Sequence, residues 1–203
     1  MNMTQNGLIL PSKEMIKKDL IETILMIINK ILDFTDTLEQ RTPSIFDKNY
    51  THEELDSAKL STGSSSNEDN ITSKISQKDE GFTLNDYFYF WIKKLDFNEN
   101  LLFLTMMNID KLLEKEFILT DVNVKNVLFI CMIITQKNYE DENFNDKDYA
   151  KILDVSTEKL LNMELNFLEF IDFSLYISQE EFNKYVLKME KIWKSTFSMF
   201  TFS

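Results

Sequence analysis

VNVKNVLFICMII, residues 122–134, is apolar almost all round when wound as a helix. A surface helix keeps a polar face, so a helix without one is predicted to be surrounded by other helices. At 13 residues it falls far short of the roughly 20 a membrane-spanning helix needs. The expectation is a globular all-α bundle built around a central helix. Composition agrees: among 203 residues there are 17 Phe and 10 Met, but only 3 Gly and 2 Pro. So few glycines and prolines leave too few tight turns for a many-stranded sandwich or barrel. The 43% hydrophobic content is enough to bury a core in one domain.

Outward from that helix, periodicity places further helices at about 84–95, 98–116, 121–137, 146–153, 156–171 and 179–194. Asn98, Thr120, Asn145 and Ser156 stand where N-caps are wanted, and Ser178 with Glu181 makes a capping box. Residues 12–39 read as one long amphipathic helix with Ser12 as its cap, and Ile16, Leu20, Ile24, Ile27, Ile28, Ile31 and Leu38 on one stripe. Between these regions the composition changes: STGSSSNEDN, residues 61–70, has no apolar residue and predicts a flexible polar insertion over 47–81. His52 falls inside it and reads as a solvated loop histidine. The terminal IWKSTFSMF, residues 192–200, is aromatic and amphipathic, suited to packing back on the bundle or to serving as a short partner-binding tail.

The charge balance, 22 basic against 34 acidic residues and net −12, opposes nucleic-acid and anionic-membrane binding. One histidine and one cysteine, Cys131, exclude a disulfide framework, a zinc cluster and a histidine-based triad. With Gly7, Gly63 and Gly81 as the only glycines there is no glycine-rich phosphate loop. No catalytic residue, metal or cofactor is therefore expected, and Cys131 reads as a core residue. MNMTQNGLILPSKE lacks the pattern of a secretory signal, so an intracellular protein, cytoplasmic or nuclear, is expected.

Three charges fall in apolar surroundings. Glu164 has Leu160, Leu161, Phe167 and Leu168 one turn away; Lys137 has Ile133 and Ile134 behind it; Asp110 follows Met106 and Met107 and precedes Leu113. A charge in such a stripe is costly unless paired. Two readings stay open: internal ion pairs that fix helix register, or charges at the rim of an apolar surface that engages a partner.

Around these charges the chain has NIDKLL (108–113), LTDVNVKNVL (119–128), TQKNYED (135–141), Asn145 with YAK (149–151) and VST (155–157), MELNFL (163–168), IDFSL (171–175) and SQEEF (178–182). This series resembles the cyclin box, and most closely the single-box P/U-type cyclins related to the phosphate-signalling cyclins. The resemblance covers about 82–189, and the helix at 12–39 looks like the one that precedes the box in that family. It implies a box of about five helices at 82–189, an N-terminal helix within 1–46 packing on it, the insertion at 47–81, and a helix end or tail at 190–203.

The resemblance further implies a regulatory subunit with no chemistry of its own, forming a heterodimer with a cyclin-dependent protein kinase. In that family a Lys–Glu pair hydrogen-bonds to kinase backbone near the mobile C helix; by position the pair is Lys137 and Glu164 here. Leu168, Phe173 and Leu175 match the apolar residues that receive the helix, and Asp110 matches a carboxylate that makes an internal ion pair. Some positions depart from the pattern. Asn138 stands where the family has an aromatic, leaving Tyr139 as its replacement. The first box helix carries aromatics, Tyr87 to Trp91, in place of an arginine, so Asp110 must pair with Lys93, Lys94 or another group. Leu153-Asp154 replaces a glycine pair, and RTPSI (41–45), similar to the family's lead-in to the box, is separated from it by the insertion. The competing reading is a cyclin-fold adaptor that binds another protein without activating a kinase.

Overall fold

The computed structural model describes residues 13–36 and 82–198, and these form seven α-helices without a strand among them. They are α1 (Lys13–Asp36), α2 (Leu84–Lys94), α3 (Glu99–Glu114), α4 (Val124–Tyr139), α5 (Asp146–Leu153), α6 (Thr157–Phe170) and α7 (Gln179–Ser198). The polar stretch 47–81 with His52, the RTPSI motif and Ser12 lie outside the described residues.

Local chemistry accounts for most helix starts. The side chains of Asn98, Asn145 and Ser156 accept hydrogen bonds from the backbone N–H three residues on, as their N-cap positions predict. Ser178 and Glu181 form the reciprocal box at 2.8 and 3.2 Å, and Thr83 with Asp86 forms a second box that heads α2. Thr120 is the exception, because α4 begins at Val124 and not at residue 121. Asn123 turns inward instead: its side-chain oxygen accepts from the Thr120 N–H at 2.8 Å and its amide donates to the Ile118 carbonyl at 3.0 Å. That local turn competes with the first helical turn and delays it.

α4 is the centre of the molecule. Val127 to Gln136 are all buried, and the helix packs against α2, α3, α5 and α6. Its lack of a polar face follows directly from being enclosed. Trp91 of α2 meets Phe129 of α4 with ring centroids 4.8 Å apart. α1 lies against α3 and α7, burying Leu20, Ile21, Ile24, Leu25, Ile28 and Leu32. Six aliphatic side chains at about 1.5–3 kcal/mol each tie α1 firmly to the body. At its far end the Thr35 hydroxyl donates to the Leu119 carbonyl at 2.8 Å. At the C-terminus Met189 is buried and Ile192 packs against the core, so α7 folds back on the bundle at least to that point.

The α5–α6 turn keeps its shape without a glycine. Asp154 takes up the left-handed conformation (φ 61°, ψ 49°), and the Val155 N–H reaches back to the Ala150 carbonyl at 3.0 Å. Aspartate tolerates that region better than most residues, yet it carries a Cβ penalty and places a negative charge at a helix C-terminus. Asp154→Gly is therefore expected to stabilise the fold by about 1 kcal/mol, read as a rise of about 2–4 °C in thermal midpoint. A lower midpoint would show that the aspartate side chain contributes more than its backbone costs.

Candidate functional site

The last turn of α4 carries Lys137 from the core to the surface. Gln136 sets its position: buried, it donates to the Leu95 carbonyl at 2.9 Å and accepts from the Tyr149 hydroxyl at 3.0 Å, fixing the end of α4 against α2 and α5. The Lys137 ammonium then donates to Glu164 of α6 at 2.7 Å and to Asp146 of α5 at 2.6 Å. Its side chain is 28% exposed, Glu164 12% and Asp146 42%. One cation thus joins three helices.

The electrostatics reflect two carboxylates on one ammonium. Burial pushes the Glu164 carboxyl above its ordinary value, and the nearby Asp146 charge adds to the rise, outweighing the Lys137 hydrogen bond. Burial disfavours the Lys137 charge, but hydrogen bonds and attraction from Asp146 and Glu164 win and hold the ammonium above its ordinary value. Both groups hold their protons more tightly, as expected where negative charge is in excess.

Sequence reading brought Lys137 and Glu164 together correctly and missed Asp146 and Gln136. An aspartate in the first turn of a helix is an ordinary complement to the helix dipole, so Asp146 carried no signal until α5 was placed beside α4. Gln136 had one available signal: it is a polar residue with Met132 and Ile133 one turn behind it on the most apolar helix.

Beside the charged cluster lies apolar surface. Leu161 and Leu165 of α6 are exposed, Leu165 by 47%, while Leu168 is half-buried and packs on the core. The loop after α6 continues that surface. Phe173 is 61% exposed and sits at φ 54°, a conformation unfavourable for an aromatic residue; its N–H bonds the Leu168 carbonyl at 2.7 Å. Several groups hold the loop: Lys111 donates to the Ser174 carbonyl at 2.7 Å, Lys115 pairs with Asp172, and the Tyr139 hydroxyl donates to the Leu175 carbonyl at 3.3 Å. Tyr139 therefore braces the loop as well as facing solvent, and Leu175 packs inward. Asn138 is exposed next to Lys137.

Asp110 pairs with neither Lys93 nor Lys94. Tyr185 and Lys188 of α7 lie close enough to favour its charged form, so the group that faces it is the C-terminal helix and not α2. The reason is placement: α3 packs directly on α7, whereas Lys93 and Lys94 point to solvent at the end of α2. Burial is the larger influence and holds Asp110 above the ordinary carboxyl range, against the pull of Tyr185 and Lys188. A carboxyl with a raised folded pKa binds its proton more tightly when folded. Its contribution to stability is therefore greatest in acid and falls as pH rises from the ordinary range to the raised value. Asp110→Asn is expected to flatten that fall, leaving the share due to Glu164, in urea unfolding at a series of pH values. An unchanged slope would assign the pH dependence elsewhere.

Among the described residues no group of three or more His, Cys, Asp or Glu side chains is placed to hold a metal ion. Cys131 is fully enclosed in α4, and burial pushes its thiol up, away from the reactive thiolate. No described helix is long and apolar enough to cross a membrane. The arrangement suits docking of another protein: apolar side chains held outward around a half-buried, hydrogen-bonding charge cluster.

Comparison with known proteins points the same way. The Cyclin family model matches residues 27–175, well over half of the chain. Cyclin-U1-1 of Arabidopsis thaliana is 33% identical over 85 residues, covering 41% of this chain and 40% of that protein. PHO85 cyclin-7 of Saccharomyces cerevisiae is 32% identical over 77 residues, 38% of this chain and 27% of the relative. Cyclin-P3-1 of Oryza sativa subsp. japonica is 32% identical over 73 residues, 36% and 31% respectively. The matched stretches thus span 40% or less of these relatives' own length. No solved structure matches the chain.

Proposed function

Since the chain belongs to the cyclin family, we propose that it is the regulatory subunit of a cyclin-dependent protein kinase. It binds the kinase beside the mobile C helix and holds that helix inward. Inward placement completes the kinase's own Lys–Glu pair and frees its activation segment to take up a productive conformation.

One observation carries this reading: a Lys137–Glu164 pair at 2.7 Å, only partly exposed, set among Leu161, Leu165, Leu168 and Phe173. Lys137 has three N–H donors, and two are engaged by Glu164 and Asp146. The third is available to a backbone carbonyl of the docked kinase. Glu164 has an oxygen left for a backbone N–H, and such charge-assisted bonds are among the stronger ones. An adaptor without kinase activation has one feature in its favour: Asn138, exposed beside Lys137, offers no ring to a kinase helix.

The test is a titration of a cyclin-dependent kinase catalytic subunit from the same organism with this protein, read by substrate phosphorylation. Saturable activation is the expected result. Tight binding with no gain in turnover would replace the kinase activator with the adaptor, and no binding to any such kinase would overturn the activator and leave only the fold standing.

A further inference from the structure

Resting on the docking reading above, we propose that Asp146 makes this face selective for a partner that places a lysine or arginine side chain against the Lys137–Glu164–Asp146 cluster. The argument begins with charge. Lys137 is bonded to both carboxylates, at 2.6 and 2.7 Å, and it is the one cation within ion-pair distance of either among the described residues. The cluster therefore has one negative charge too many. In the free protein water compensates it, because Asp146 is 42% exposed. A docked apolar surface removes that water, and a charge buried without a partner is strongly unfavourable.

Geometry shows where compensation must come from. Asp146 sits in the first turn of α5, within hydrogen-bond distance of Lys137, and its second carboxylate oxygen accepts no hydrogen bond from the described residues. Lys137 carries a single positive charge already shared between both carboxylates, so it cannot neutralise the second one. A lysine or arginine brought by the partner would bond that oxygen and close the imbalance, while a partner lacking one would bury an uncompensated aspartate. Glu164 supplies the contact common to any partner on this face; Asp146 sorts partners by charge. The strongly acidic chain, net −12, draws a basic partner surface toward it in the same direction.

The test uses the full chain and a purified cyclin-dependent kinase catalytic subunit from the same organism. Kd is measured at about 0.05 M and about 0.5 M salt for wild type, Asp146→Asn, Asp146→Glu and Glu164→Lys. Asp146→Asn keeps the size of the side chain and leaves the Asn145 cap of α5 intact, and a thermal melt verifies its fold. The expected result is an affinity loss of about tenfold at low salt that shrinks below about threefold at high salt, with Asp146→Glu close to wild type. Asp146→Lys should bind worse still, and charge reversal of one basic residue on the kinase should restore it. Unchanged or tighter binding by Asp146→Asn, or an equal loss at both salts, would overturn the proposal and leave Asp146 as a brace for Lys137. The docking reading fails differently: wild type would not bind, or Glu164→Lys would bind as well as wild type.

Discussion

Glu164→Lys is expected to weaken kinase binding by at least about 30-fold while the chain stays folded. The side chain lies at the rim of the bundle, 12% exposed, and among the described residues it bonds Lys137 alone. A lysine in its place can swing toward solvent past Leu161 and Leu165, while Lys137 keeps its bond to Asp146. The fold therefore loses one ion pair, at a cost of about 1–3 kcal/mol, within what a domain tolerates. Binding suffers far more. Two ammonium groups would face the kinase backbone where one carboxylate should accept its N–H, and truncating a buried charged hydrogen bond costs about 2–5 kcal/mol or more. The corresponding loss is about 30- to 5,000-fold in Kd, measurable by calorimetry beside a melting curve. Glu164→Gln, which retains shape and loses charge, should fall between. Wild-type affinity in a folded Glu164→Lys protein would remove Glu164 from the interface.

The two features that made this prediction possible were visible in the chain to different degrees. Helix order was legible because the signals are local. Caps such as Asn98, Asn145 and Ser156 act over three residues, and the all-apolar run at 122–134 admits few surroundings. The start of α4 was misread at Thr120 because the deciding contact, Asn123 to the Ile118 carbonyl, is a turn that a cap pattern does not encode. The Leu153-Asp154 step looked like a change of turn. In the structure Asp154 carries that turn in the left-handed conformation, with aspartate bearing the strain.

At the site the limits are those of distance along the chain. Lys137 and Glu164 lie 27 residues apart, and their unusual surroundings flagged each one separately before their resemblance to a family paired them. Asp146 had ordinary surroundings on its own helix, so only tertiary placement shows it to be part of the cluster. Asp110 shows the opposite limit: its burial was legible, but of the options left open it is a group on another helix, and not Lys93 or Lys94, that faces it. Which helix faces α3 is a packing outcome, and α7 lies about 70 residues further on.

Phe173→Gly is expected to move stability and binding in opposite directions. At φ 54° a non-glycine residue pays about 1–2 kcal/mol for the clash of its Cβ, and an aromatic has no local hydrogen bond to offset it. The ring is 61% exposed, so its removal forfeits little core burial, and the bond from its N–H to the Leu168 carbonyl survives. After the greater freedom of glycine in the unfolded chain is deducted, a net gain of up to about 1 kcal/mol remains. On the binding side the same ring is a large apolar group held outward where the loop bonds back to Leu168, one turn along α6 from Glu164. Its loss should weaken kinase binding by about 2 kcal/mol, some 30-fold. Phe173→Ala separates the two effects, since alanine keeps the strained backbone and loses the ring: affinity should drop as far as in the glycine variant, with no gain in stability. The pair of variants measures whether the strain is tied to exposure of the ring. If Phe173→Gly lowered stability and left affinity unchanged, the ring would belong to the packing of the 171–178 loop, and the apolar half of the docking face would rest on Leu161, Leu165 and Leu168 alone.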